Sequence, residues 1–273
     1  MSRSVFTARA SRSALVAALA ALGALGCSYP TGQSPYPGQC TALQPLAFVP
    51  APNSVVVPTD VEFRITFNDY PDPDTVRSDT ILLTTGYFWV PGNYGVDLIG
   101  KAAVMRPIRD LSHQIGYGLH LRPALSSLAG CPGTSEDIQF VTGDGAAGQP
   151  SPPTASLQKD VQPIFDARCG GGCHLASDDA GGGCAAAPAA GLSLCATDSW
   201  ASLVGRLSNQ TDSLRLVEPG DSARSYLLRK LLPATASGGP IAGVYGQREP
   251  PGDPLPVDQL RLIAAWIDRG ALR

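Results

Sequence analysis

DVEFRITF, residues Asp60 to Phe67, decides the fold of the first half of the chain. Val61, Phe63, Ile65 and Phe67 fall on one side of an extended segment and Glu62, Arg64 and Thr66 on the other, the period-two pattern of a strand with one buried face. QIGYGLHL, Gln114 to Leu121, repeats it through Ile115, Tyr117, Leu119 and Leu121. Shorter candidates are Ser54 to Val57, Thr80 to Thr84, Gly95 to Ile99, Ala102 to Met105 and Asp137 to Thr142, separated by turn residues such as PDPD, PGN and GCPG. Short strands at this spacing predict an antiparallel β-sandwich over residues 46–142. Polar residues inside it have ordinary readings. His113 falls in a turn and His120 on the polar side of its strand, while Asp69, Asp72, Asp74 and Asp79 lack the ligand spacing and turn glycine of a calcium loop.

Composition agrees with a folded chain of short elements. The 273 residues are 44% hydrophobic and 16% charged, a balance that buries cores. Gly 30 and Pro 25 exclude a coiled coil or a simple helical bundle. Residues 1–26 carry Arg3, Arg9 and Arg12 and no acid, which leaves the remainder with 17 basic and 23 acidic residues. A net charge of -6 there argues against a nucleic-acid partner.

The amino terminus reads as an export signal. Ala14 to Gly26 is an apolar run with the length of a signal h-region, too short to span a bilayer. It ends Ala24-Leu25-Gly26-Cys27, which resembles a bacterial lipobox, with Ala24 where leucine is usual. The resemblance implies a lipoprotein signal peptide over 1–26, a lipid on Cys27 and a Pro/Gly/Ser-rich tether over 27–45. The expected location is the cell envelope, at the outer membrane or periplasmic face, with the membrane contacted through the lipid anchor. Six cysteines remain, an even number in an exported chain: Cys40, Cys131, Cys169, Cys173, Cys184 and Cys195. Cys40 and Cys131 flank the sandwich and are expected to pair with each other, and Cys184 with Cys195.

The ordered segments PAPNSVVVP, VEFRITFNDYPDPDTV, IGYGLHLRPALSSLAG and IQFVTGD resemble the bacterial immunoglobulin-like domain of S-layer proteins, over about 100 residues. That resemblance implies a sandwich that spaces, docks or adheres, without chemistry of its own.

GDGAAGQPSPPTAS, residues 143–156, has the composition of a linker, and beyond it the pattern is helical. In DVQPIFDARCGGGCH, Asp160 is positioned to cap a short helix that tolerates Pro163 in its first turn and buries Val161, Ile164 and Phe165. The helix delivers Cys169, and then Cys173 and His174. In c-type haem attachment two thiols bond the vinyl groups, and the histidine beside the second cysteine supplies the proximal nitrogen. The usual spacing is C-x-x-C-H; here one residue is extra, and three glycines are expected to absorb it.

The later segments AAGLSL, DSWASLVG, VEPGDSARSYLLRKL and REPPGDPLPVDQLRLIAAWIDRGA resemble, in that order, the planctomycete-type cytochrome c domain. This implies a small all-α domain over 157–273 that binds haem c covalently through Cys169 and Cys173, with His174 on the iron. An Asp221 or Ser222 cap would start a helix carrying Tyr226, Leu227, Lys230 and Leu231. Leu260, Ile263, Trp266 and Ile267 would pack against the attachment helix, and Gly270 would end theirs. Related domains carry methionine in the distal loop; this chain has Glu249 there, a distal-side candidate more simply read as a solvated acid. The expected activity is electron transfer or redox sensing with a redox partner protein, and no catalytic constellation for an enzyme is present. Three other readings stand beside it: a haem-free adhesion or scaffold module stapled by Cys169–Cys173 and Cys184–Cys195 disulfides, a zinc site of four cysteines and His174 lacking the usual C-x2-C knuckles, and a phosphate loop lacking its lysine.

Overall fold

A computed structural model describes residues 40–148, 150–169, 173–175, 188–233, 241 and 243–273. The signal segment, Cys27, the tether up to residue 39, Gly170 to Gly172 and Cys184 lie outside the described residues.

The first half is two four-stranded antiparallel sheets face to face. One runs in the order β1 (Pro45–Val49), β2 (Phe63–Phe67), β6 (Ala102–Pro107), β5 (Gly92–Asp97). The other runs β4 (Phe88–Val90), β3 (Ile81–Thr85), β7 (Gly116–Leu121), β8 (Glu136–Val141). Alternation sets which residues meet. Phe63, Ile65, Ala103 and Met105 from one sheet are buried together with Ile81, Leu83, Leu119, Ile138 and Phe140 from the other. Phe140 anchors the contact, with its ring 5.3 Å from Phe63 and stacked 5.5 Å from Tyr117. Cys40 and Cys131 are bonded, as expected, with Cα atoms 5.3 Å apart.

Several expectations need correction. Ser54 to Val57 is not a strand; only Val57 makes a bridge, to Thr142. Strands β1 and β4 went unread because they are edge strands whose residues are mostly exposed or half-buried on both faces. His120 is not merely solvated, since its ring bonds Thr84 Oγ1 at 3.0 Å and the Asp137 carboxylate at 2.8 Å.

The described part of 157–273 is built from short helices. A π-turn, Leu157–Val161, leads into α1 (Gln162–Arg168); α2 (Ser199–Leu203), α3 (Tyr226–Leu231) and α4 (Val257–Asp268) follow. The cap is Ser156, not Asp160. Ser156 Oγ accepts the Lys159 N–H, and the Asp160 carboxylate accepts the Ser156 N–H in return, a reciprocal cap that satisfies two backbone donors. Ser225, not Asp221 or Ser222, holds the N-cap position of α3; Asp221 instead accepts the Arg224 N–H in the preceding turn. In α4 the expected stripe Leu260, Ile263, Trp266 and Ile267 is buried, and Gly270 follows its end at φ +94°.

The helices are docked on the sandwich. Tyr70 and Leu98, at one end of the sheets, are buried in the same apolar cluster as Val161, Phe165, Leu228 and Trp266. The Tyr70 hydroxyl donates to the Pro233 carbonyl at 3.1 Å. Asp97 accepts from Arg261 at 2.7 Å and is also paired with Arg64, and Gly100 N–H donates to the same carboxylate at 3.0 Å. A Cβ on Gly100 would crowd the tips of Arg64 and Asp97, so a larger residue there would push this charge cluster aside. Arg224 reaches Asp74 at 2.9 Å. In the linker, the Ala147 and Gly148 N–H groups donate to the Asp60 carboxylate.

Two outcomes follow from this seam and this clamp. Asp97→Ala leaves two guanidiniums without their shared carboxylate, so a loss of about 1–3 kcal/mol in urea unfolding and faster proteolysis within 143–156 are expected. Cys131→Ser removes a cross-link over 91 residues and is expected to cost about 4–5 kcal/mol in the same assay.

Candidate functional site

The chemistry-bearing residues of the second half meet at one cavity of about 310 Å³. Arg168, Cys169, Cys173, His174, Leu192 and Leu194 contribute from the α1 side, and Tyr226, Leu227, Lys230 and Leu231 from α3. Glu249, Pro250 and Pro251 also line it, although about 75 residues separate Glu249 from His174 in sequence.

Each side chain is positioned by a local reason. Pro163 opens α1 where no backbone donor is needed, Val161, Ile164 and Phe165 bury its inner face, and Cys169 follows as the C-cap. His174 is held by its neighbours at two points. Its carbonyl accepts the Leu194 N–H at 3.0 Å, and its Nδ1 lies 3.0 Å from the Leu192 carbonyl. Because a carbonyl only accepts, Nδ1 carries the proton and Nε2 keeps a bare lone pair. Burial, with a smaller contribution from the Lys230 charge, holds the imidazole below its ordinary pKa and therefore neutral. That is the ligating form of histidine.

The thiols differ in state. Cys169 is the free cysteine among the described residues, so the Cys169–Cys173 staple of the haem-free reading is not formed; burial pushes its pKa up to about 11 and it stays protonated. Cys173 and Cys195 are both disulfide-bonded. The expected partner of Cys195, Cys184, lies outside the described residues.

On the α3 side Tyr226, Leu227, Lys230 and Leu231 form one helical stripe toward the cavity. The Glu249 N–H donates to the Lys230 carbonyl at 2.8 Å, tying the distal loop to the helix. Glu249 is not a solvated acid: it is half-buried, and desolvation raises its pKa to about 7. Lys230 is buried, its ammonium donates to the Tyr245 carbonyl at 2.5 Å, and desolvation lowers its pKa to about 8. Sequence reading placed Lys230 on the helix without giving it a role. Its signal was a lysine in the middle of an apolar stripe. Met105, the internal methionine, is fully buried in the sandwich core. Among the described residues no group of three or more His, Cys, Asp or Glu is gathered as if for a bare metal ion.

Glu249 carries a pH signature. A carboxyl whose folded pKa is raised contributes stability that is fully present below its unfolded value of 4.5 and is lost as pH rises through about 7. Glu249→Gln is expected to unfold later than the parent in thermal melts at pH 8 and to match it near pH 4; a constant difference across that range would contradict the buried placement.

No curated protein matches this chain. Among solved structures, the N-terminal part of the bacterial S-layer protein SbsC aligns with TM-score 0.31 and 14% identity, over 42% of this chain and 25% of that one. PcoC, a methionine-rich copper resistance protein from Escherichia coli, aligns with TM-score 0.31 and 15% identity, over 37% of this chain and 99% of that one. CopC from Methylosinus trichosporium OB3b aligns with TM-score 0.32 and 11% identity, over 40% and 99%. The chain thus spans about a quarter of the length of the first S-layer structure. The family model described as a bacterial Ig-like domain matches residues 40–142, the span of the two packed sheets. Over those residues the chain is similar to that domain, and its fold there is a sandwich of two antiparallel sheets.

Proposed function

We propose that this protein is an exported lipoprotein in which an Ig-like sandwich carries a c-type haem-binding domain, serving electron transfer or redox sensing at the cell envelope. One observation carries the reading: the Cys169/Cys173/His174 motif and the Glu249-Pro250-Pro251 loop, recognised separately in sequence, line the same cavity. The histidine, the free Cys169 thiol and the apolar walls support this reading, and the disulfide on Cys173 must open for it. His174 is neutral and presents Nε2, while Leu192, Leu194, Leu227 and Leu231 supply apolar walls for a macrocycle. Bound there, haem supplies a one-electron iron couple.

The chain's own residues do the rest. The Leu192 carbonyl fixes the His174 ring and raises its donor strength. The apolar walls keep water from the cavity and lower the local dielectric. Cys169 offers a thiol for thioether formation. Cys173 enters only after its disulfide takes up two electrons and two protons from a dithiol reductant, which is the work of a maturation system in an oxidising compartment.

That same disulfide favours a second reading, a haem-free module stapled by its cysteines for adhesion or scaffolding. The two readings separate cleanly. Protein produced with c-type maturation machinery is expected to give a pyridine haemochrome spectrum and a haem-sized mass increase that survives denaturation. Cys169→Ser with Cys173→Ser is expected to abolish both. Absence of covalent haem in the parent would leave the stapled module. Lipidation of Cys27 is checked on the native amino-terminal peptide, where mass spectrometry should find a diacylglycerol adduct.

A further inference from the structure

We propose that Lys230 supplies the sixth ligand to the iron of a haem held by His174, the role that the absent distal methionine leaves open. The inference rests on the haem-binding reading above and names a residue for it. The residues around the cavity narrow the choice. Arginine does not give up its proton, so Arg168 and Arg206 offer no lone pair. The Tyr226 hydroxyl is engaged, donating to Gln210 Oε1 at 2.6 Å and accepting the Tyr245 N–H at 3.2 Å. Ser202, Ser208, Asn209 and Gln210 are neutral oxygen or amide groups, weak ligands for iron. Among the described lining residues, His174 and Lys230 are the side chains with a nitrogen lone pair to give, on proton loss in the case of lysine.

His174 and Lys230 line the same cavity, the histidine from the segment after α1 and the lysine from α3. Lys230 is at the middle of the Tyr226, Leu227, Lys230, Leu231 stripe, so the helix that walls the cavity also carries the amine. Its carbonyl accepts the Glu249 N–H at 2.8 Å, which ties the loop of Glu249, Pro250 and Pro251 to this residue. Burial has already removed much of the hydration that an ammonium must shed before it binds a metal.

The step balances simply. The ammonium gives one proton to solvent and its nitrogen lone pair goes to iron, with no change in oxidation state. A coordinated amine would keep two hydrogens, one of which could stay on the Tyr245 carbonyl that now lies 2.5 Å from the ammonium.

The test uses full-length holoprotein, with haem content fixed first by pyridine haemochrome. The ferric parent is expected to be low-spin by electron paramagnetic resonance, without the near-infrared band of sulfur-ligated iron. Lys230→Ala, at equal haem content, is expected to turn high-spin and to bind carbon monoxide at least tenfold faster when reduced. Lys230→Met is expected to gain the sulfur-to-iron band, a result that also guards against a folding defect in the alanine variant. A high-spin parent, or a Lys230→Ala protein that stays low-spin, overturns the assignment. Loss of the low-spin signal in Glu249→Gln but not in Lys230→Ala overturns it in favour of the loop acid. A parent with no covalent haem fails at the first measurement and removes the haem reading itself.

Discussion

The arrangement depends on one charged contact, the grip of Asp97 on Arg261 from α4 and Arg64 from β2. A carboxylate this shielded is costly unless its acceptor sites are filled, and two guanidiniums and the Gly100 N–H fill them. Beside it Tyr70 and Leu98 extend the apolar cluster of the helices into the sandwich. The helical unit is small, and its core gains the residues it lacks from the neighbouring domain. The sandwich therefore supplies part of the helical core, while the cavity itself is lined by residues of the second half.

From that seam the pocket follows in short steps. Trp266, Ile263 and Val161 lie in one cluster with Phe165, which fixes α1. The end of α1 sets Cys169, and α3 sets Lys230 and the distal loop. Polar groups are matched one by one: Gln162 donates to Asp166 and to the Leu194 carbonyl and accepts from Ser199, so the segment after the motif is pinned to α1. Leu194 in turn holds His174 through the backbone.

Much of this was legible in the sequence where a regular period meets one buried face. Phe63, Ile65 and Phe67 announced their strand because the opposite residues are polar. Strands β1 and β4 did not, since PLAFV and FWV lie at sheet edges with no protected side and carry no contrast to read. The cysteine–histidine motif was legible from chemistry alone, and so was the spacing of the α4 stripe. Lys230 was not, because a lysine among apolar residues ordinarily reads as a long stem reaching for water. Only the tertiary arrangement, with Tyr245 and Glu249 folded over it, shows that its amine stays inside. Glu249 was misread for the same reason: burial of a loop depends on what covers it.

The Cys40–Cys131 bond has a mechanical meaning. Strand β1 is the first element among the described residues and lies at a sheet edge, paired with β2 alone, so tension arriving from the amino-terminal side would peel it off one hydrogen bond at a time. The covalent link intercepts that load at residue 40. It passes the force into the turn around Ser127 and Cys131, whose neighbour Leu128 is hydrogen-bonded to Tyr70 at the seam. Shear is then shared by several strands and the docked helices together, and the edge strand is spared. A pull on the segment before Cys40 would therefore reach the seam before it reached the edge strand.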